Sequence, residues 1–99
     1  MVGVKQFIQY LRELLATSDR PVEKLVAKGE AALADGQPVV AAMHLTEAYG
    51  ILARMKDSAV IPFQLTIANL LIEAYTQQGD PQEIQFWKET VEELKRKMP

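Results

Sequence analysis

Ninety-nine residues, 48% of them hydrophobic, suffice for one packed core, and at a formal charge of −2 they are too apolar for a disordered chain. Eleven basic against 13 acidic residues leave no basic face for nucleic acid, and the one basic cluster, Lys95-Arg96-Lys97, reads as a last helical turn that complements the helix dipole. The lack of cysteine excludes disulfides, thiolate nucleophiles and cysteine-ligated metals, and it fits a cytoplasmic protein.

Proline and glycine divide the chain into five predicted helices, over 3–17, 21–35, 38–56, 60–78 and 81–97. Pro21, Pro38, Pro62 and Pro81 stand where helices can begin, because a first-turn proline loses no intrahelical hydrogen bond. Gly36 and Gly79 stand where helices can end in a left-handed residue. The first predicted helix carries one apolar stripe, Phe7, Ile8, Leu11, Leu14 and Leu15. Arg12 and Glu13 interrupt the apolar run after Lys5, so this segment does not read as a secretory signal. The second carries a weaker stripe of Val22, Leu25, Val26, Gly29 and Leu33. The fourth is apolar nearly all round, through Phe63, Leu65, Ile67, Leu70, Leu71, Ile72 and Tyr75, as expected of a helix surrounded by others. Its most apolar window, Ala59 to Ile72, contains Pro62, Gln64 and Asn69 and is too short to span a bilayer, so no membrane partner is expected.

The fifth advances by three or four residues through Ile84, Trp87, Val91, Leu94 and Met98. Asp80-Pro81-Gln82-Glu83 places an N-cap acid, a first-turn proline and a capping-box glutamate in order. On its outer side Glu92–Arg96 and Glu93–Lys97 are favourable pairs and Glu89–Glu93 a repulsive one. No stretch alternates with a period of two. The expectation is therefore a single all-α domain over 1–99: an N-terminal helix at 3–17, a first hairpin at 21–56 and a second at 60–98.

Two stretches share a framework. In the second hairpin Ala68, Leu71, Ile72, Tyr75, Gly79, Asp80, Ile84 and Val91 follow one another as in a tetratricopeptide repeat. In the first, Leu25, Gly29, Ala32, Gly36, Gln37, Ala41, Leu45 and Ala48 match the same order. About 70 residues thus resemble the tetratricopeptide-repeat family, most specifically at Ala74-Tyr75-Thr76-Gln77-Gln78-Gly79-Asp80. Small residues at 29, 32, 41 and 48 suit two helices in close approach. Three features depart from the family. The turn glycines are 43 residues apart, where its period is about 34, which predicts an extended linker near Asp57–Pro62 or an extended third helix. Lys28 and Lys88 replace large apolar residues, and no helix follows the second hairpin to cap it. The resemblance implies a five-helix, right-handed array of antiparallel hairpins.

Catalytic equipment is sparse. His44, the only histidine, pairs at best with Glu47, and no second histidine or cysteine exists to complete a metal site. A serine nucleophile would need that same histidine. Glu73, in the most apolar helix, is a lone acid where carboxylate catalysis needs two. No glycine-rich phosphate loop occurs. The chain therefore reads as no enzyme, with no cofactor and no metal.

In the tetratricopeptide family the first helix of each hairpin lines a concave surface that receives a peptide. By that resemblance Glu23 and Glu30 share a groove with Thr66, Asn69, Glu73 and Gln77. Asn69 either meets a ligand backbone there or bonds to a neighbouring helix. The groove lacks the cations with which chaperone-tail-binding members hold a terminal carboxylate, so a neutral to basic peptide or helix is the expected partner. The leading expectation is an adaptor or small chaperone acting by protein–protein interaction. The alternative is a structural, self-associating bundle, an excised or engineered piece included. Phe86 lies about 100° round the helix from Trp87 and is the candidate for weak homo-oligomer contact.

Overall fold

Each α-helix begins at a proline or one residue before it. The computed structural model describes residues 21–98. It contains α1 (Pro21–Ala34), α2 (Pro38–Met55), α3 (Ile61–Gln78) and α4 (Pro81–Lys97), with a short 3-10 turn, Ser58–Val60, ahead of α3. The predicted helix over 3–17 lies outside the described residues. Within them the chain is all-helical and has no strand.

The two tight turns are built alike. Gly36 and Gly79 both sit at φ +71°, the left-handed region that a side chain disfavours. The Gly36 N–H donates to the Leu33 carbonyl (3.2 Å) and the Gln37 N–H to the Ala32 carbonyl (2.8 Å). Gly79 N–H donates likewise to Thr76 and Asp80 N–H to Tyr75, both at 3.1 Å. These paired bonds satisfy the carbonyls that a helix end leaves open, and a proline two residues beyond each glycine starts the next helix. The Asp80 side chain accepts the Glu83 N–H at 3.2 Å, as the cap predicts. The reciprocal arm of the capping box is absent, because the Asp80 N–H that Glu83 would receive is already given to Tyr75.

The α2–α3 connection follows different rules. Lys56 ends α2 at φ 51°, doing without a glycine what Gly36 and Gly79 do with one. The Asp57 carboxylate then accepts the Ala59 N–H at 2.9 Å and holds the 3-10 turn, which inserts Val60 into the core. The 43-residue spacing is thereby explained: α2 and α3 are each 18 residues long, and five residues join them.

Successive helices pack on one another, and α1 also meets α3. Val22 and Val26 of α1, Leu45 and Leu52 of α2, and Ile67 and Leu71 of α3 are fully enclosed, with Trp87 and Val91 of α4 closing the cluster. The approach of α1 to α2 is close because of Gly29: a Cβ there would stand 2.6 Å from Leu45 Cγ. On α3, Ile61, Gln64, Ile67, Ala68, Leu71 and Ala74 form the buried stripe, while Phe63, Leu65, Leu70, Ile72 and Tyr75 lean on the core from its flanks. This accounts for a helix that is apolar nearly all round. It also corrects the expectation about length. The helical stretch Ser58–Gln78 has 21 residues and contains an 18-residue window of mean hydropathy 1.2, long and apolar enough to cross a bilayer by length and composition alone. In the fold its apolar positions are occupied by helix–helix packing.

Trp87 is only 6% exposed. Leu71 belongs to the same cluster and Tyr75 packs against it, while the ring partner of Trp87 on another helix is Tyr49 of α2, edge-to-face at 5.0 Å and 79°. On the outer side of α4, Lys97 meets Glu93 at 3.4 Å as predicted. Glu92 pairs with Lys95 at 3.7 Å rather than with Arg96, whose Nε turns back to the Glu92 carbonyl. Carbonyls in the last turns of a helix attract cations, which favours that alternative.

Candidate functional site

Glu30, Leu33 and Ala34 share one face of α1, and Leu70 and Glu73 share one face of α3. Where these faces meet they line a cleft of about 260 Å³. Glu30 stands six residues before Gly36, and Glu73 six before Gly79. The two acids thus hold the same position in the two hairpins, and the packing of α1 on α3 brings them to one cleft. Neither carboxylate has a cationic partner among the described residues. The half-buried Glu30 carboxyl is pushed above its ordinary 4.5, first by burial and then by the nearby charge of Glu73.

The other predicted groove residues do not join them. Glu23 is 6% exposed, buried rather than presented to a peptide. It lies about 60° from the enclosed Val26 on the helix surface, on the inner shoulder of α1. The half-buried Thr66 donates its hydroxyl to the Pro62 carbonyl at 3.2 Å. Asn69 is exposed and takes neither predicted role in full: its Nδ2 donates to the Leu65 carbonyl of its own helix at 3.0 Å, not to a neighbouring helix. Gln77 is exposed near the end of α3 and does not line the cleft. Of six predicted positions, Glu30 and Glu73 are the ones the fold brings together.

Away from this cleft, His44 is half-buried and Glu47 exposed. Among the described residues no group of three or more His, Asp or Glu side chains is placed to hold a metal ion.

A second and larger cleft, about 550 Å³, is one that sequence reasoning missed. It opens where the C-terminal ends of α2 and α4 meet the 3-10 turn and the start of α3. Leu52, Val60, Ile61 and Leu94 give it an apolar floor, and Tyr49, Lys56, Ser58, Gln64 and Lys97 supply polar groups. The sequence did hold a signal. Gln64 falls on the i, i+3 stripe through Ile61 and Ile67, where an apolar residue belongs. An amide there must be served by the fold or by something else.

Compared with family models, curated proteins and solved structures, the chain finds no match.

Proposed function

We propose that this chain is a non-enzymatic interaction module, an adaptor or small chaperone, whose hairpins stack as in a tetratricopeptide-like right-handed array and receive a neutral to basic peptide or helix between α1 and α3. The observation that carries the reading is the pairing of Glu30 with Glu73 across a cleft that also offers Leu33 and Leu70. Two unneutralised carboxylates at one cleft, the Glu30 carboxyl pushed up by burial and then by the charge of Glu73, are relieved by a ligand cation. The leucines beside them suit the aliphatic stem of a lysine or arginine. The matched turns at Gly36 and Gly79, and the contact of first helix with first helix, support the repeat-like arrangement. The reading is of a cytoplasmic module that needs no cofactor or metal and uses neither nucleic acid nor membrane.

Selection from a random peptide display library, followed by calorimetry, tests it. Selected peptides should be enriched in lysine or arginine, and Glu30→Gln/Glu73→Gln should weaken them about tenfold, more at low salt than at high. Peptides without cations, or equal affinity for the double variant, would remove the acidic cleft as the binding site.

A second reading rests on a separate observation. Val39 and Met43 of α2 and Phe86 of α4 are 66%, 63% and 55% exposed, and such side chains suit a self-associating helical domain.

A further inference from the structure

The 550 Å³ cleft at the far end of α3 shares no residue with the acidic one, and it has the size of a small-molecule site. Gln64 is the informative residue. It is 8% exposed, it lines the cleft, and its carboxamide makes no hydrogen bond among the described residues. The amide itself stays open to solvent at the cleft while the rest of the side chain is enclosed, so its donor and acceptor are held in place and available to a ligand. A carboxamide offers both roles side by side, which matches another amide better than it matches a bare anion or cation.

The remaining lining narrows the chemistry. Leu52, Val60, Ile61 and Leu94 accept an aliphatic group. Lys56 has no ion-pair partner among the described residues, and Lys97 shares its charge with an exposed Glu93. Asp57, the one acid in the lining, already accepts the Ala59 N–H. The balance favours an anion near the lysines. Tyr49 adds a hydroxyl that stays protonated and able to donate, because burial and then the charge of Glu93 push its pKa up.

From this arrangement we infer that the cleft binds an N-acylated aliphatic amino acid: the amide to Gln64, the carboxylate to Lys56 and Lys97, and the aliphatic side chain to Leu52, Val60, Ile61 and Leu94. That chemistry is carried by free N-acyl amino acids and equally by the last residue of a polypeptide. The site is separate from the proposed peptide groove and does not depend on it.

Three small probes dissect the groups. N-acetyl-L-leucine carries all of them, N-acetyl-L-leucinamide lacks the carboxylate, and isocaproate lacks the amide. Nitrogen-15 correlation spectra of the protein should show the Gln64 side-chain amide moving with N-acetyl-L-leucine in the millimolar range, as suits about a dozen ligand heavy atoms. The other two probes should bind about tenfold more weakly. An acetylated tripeptide ending in leucine with a free carboxylate separates the sources: tighter binding than N-acetyl-L-leucine assigns the site to chain ends, equal binding to the free compound. Gln64→Leu, followed through the backbone amides of the cleft, and Lys56→Gly, followed through the Gln64 side chain, should each weaken N-acetyl-L-leucine about tenfold while melting near the parent, because the first exchanges a solvent-open amide for an apolar group and the second relieves a left-handed lysine. Indifference of the Gln64 resonances to N-acetyl-L-leucine, equal response to all three probes, or variants that bind as the parent does would each overturn the assignment.

Discussion

Gly79 and Lys56 end consecutive helices in the same left-handed conformation, and only one of them does so without a Cβ. Nothing stands within 4 Å of where a Cβ at Gly79 would lie, so a substitution there meets backbone strain and no clash. Gly79→Val should therefore lose about 1–2 kcal/mol, with the helical content of the folded state unchanged, as read from urea titration by circular dichroism. A variant as stable as the parent would show that this turn does not need its glycine. Glu30 is the other residue whose environment sets a measurable property. Its folded carboxyl titrates above the unfolded value, so the charged form is the disfavoured one in the fold. Relative stabilisation from this group is complete below about pH 4.5 and is lost as pH rises through the raised folded value. Glu30→Gln should accordingly raise the melting temperature at neutral pH, and the gain should fade below that value. A gain that persists at pH 3, or a loss at pH 7, would contradict the burial and repulsion seen at this cleft.

At the scale of helices, the α1–α2 contact depends on a missing side chain. A methyl group at Gly29 would meet Leu45 Cγ, a branch point rather than a flexible tip. The higher helix propensity of alanine, worth about 1 kcal/mol, is then set against an overpacking cost of about 1–3 kcal/mol. Gly29→Ala should be destabilising, and it should become neutral or stabilising in a Leu45→Ala background, where the obstruction is gone. Equal effects in both backgrounds would place the helices farther apart. On α4, Trp87 joins α2 through Tyr49 as well as closing the common core. Trp87→Ala should cost about 3–5 kcal/mol, and the tryptophan emission of the parent should be blue-shifted, moving to the water-exposed maximum on unfolding. Emission typical of full exposure in the native state would refute the buried ring. The helices and tight turns were legible in the sequence because they rest on local chemistry: proline cannot sit inside a helix, and glycine alone enters the left-handed region freely. The Lys56 end of α2 was not, since a lysine gives no local sign of positive φ. Nor was the choice of Lys95 over Arg96 by Glu92, since i, i+3 and i, i+4 partners are both within reach on a helix surface. Glu30 and Glu73 could be found because they share a repeat position. Glu23 was placed in the groove by the family resemblance alone, which carries no information on how deeply this side chain is buried.

Over the whole molecule, the two hairpins repeat at 43 residues in surface as well as in core. Met43 stands seven residues after Gly36 and Phe86 seven after Gly79. The second helix of each hairpin therefore presents a large apolar side chain at the same place, and both are more than half exposed. Phe86 cannot turn inward, because its neighbour Trp87 already fills the inner position and meets it edge-on at 5.0 Å. The three apolar side chains that are more than half exposed, with Val39 as the third, fall short of the roughly 1,200–2,000 Å² that a stable interface buries. Association through them should be weak, with dissociation on the order of 0.1–1 mM, and symmetric about helix α4 if Phe86 is its centre. Phe86→Lys should then abolish the rise of scattered mass with concentration. Its helical content and melting temperature should stay near those of the parent, because the residue is a surface one whose replacement leaves the Trp87–Tyr49 contact in place. Sedimentation or light scattering across a concentration series distinguishes the outcomes. A parent that remains monomeric throughout the series shows that the exposed ring is not a self-association contact. A dimer unchanged by Phe86→Lys places the contact elsewhere and leaves Met43 and Val39 as the next residues to substitute.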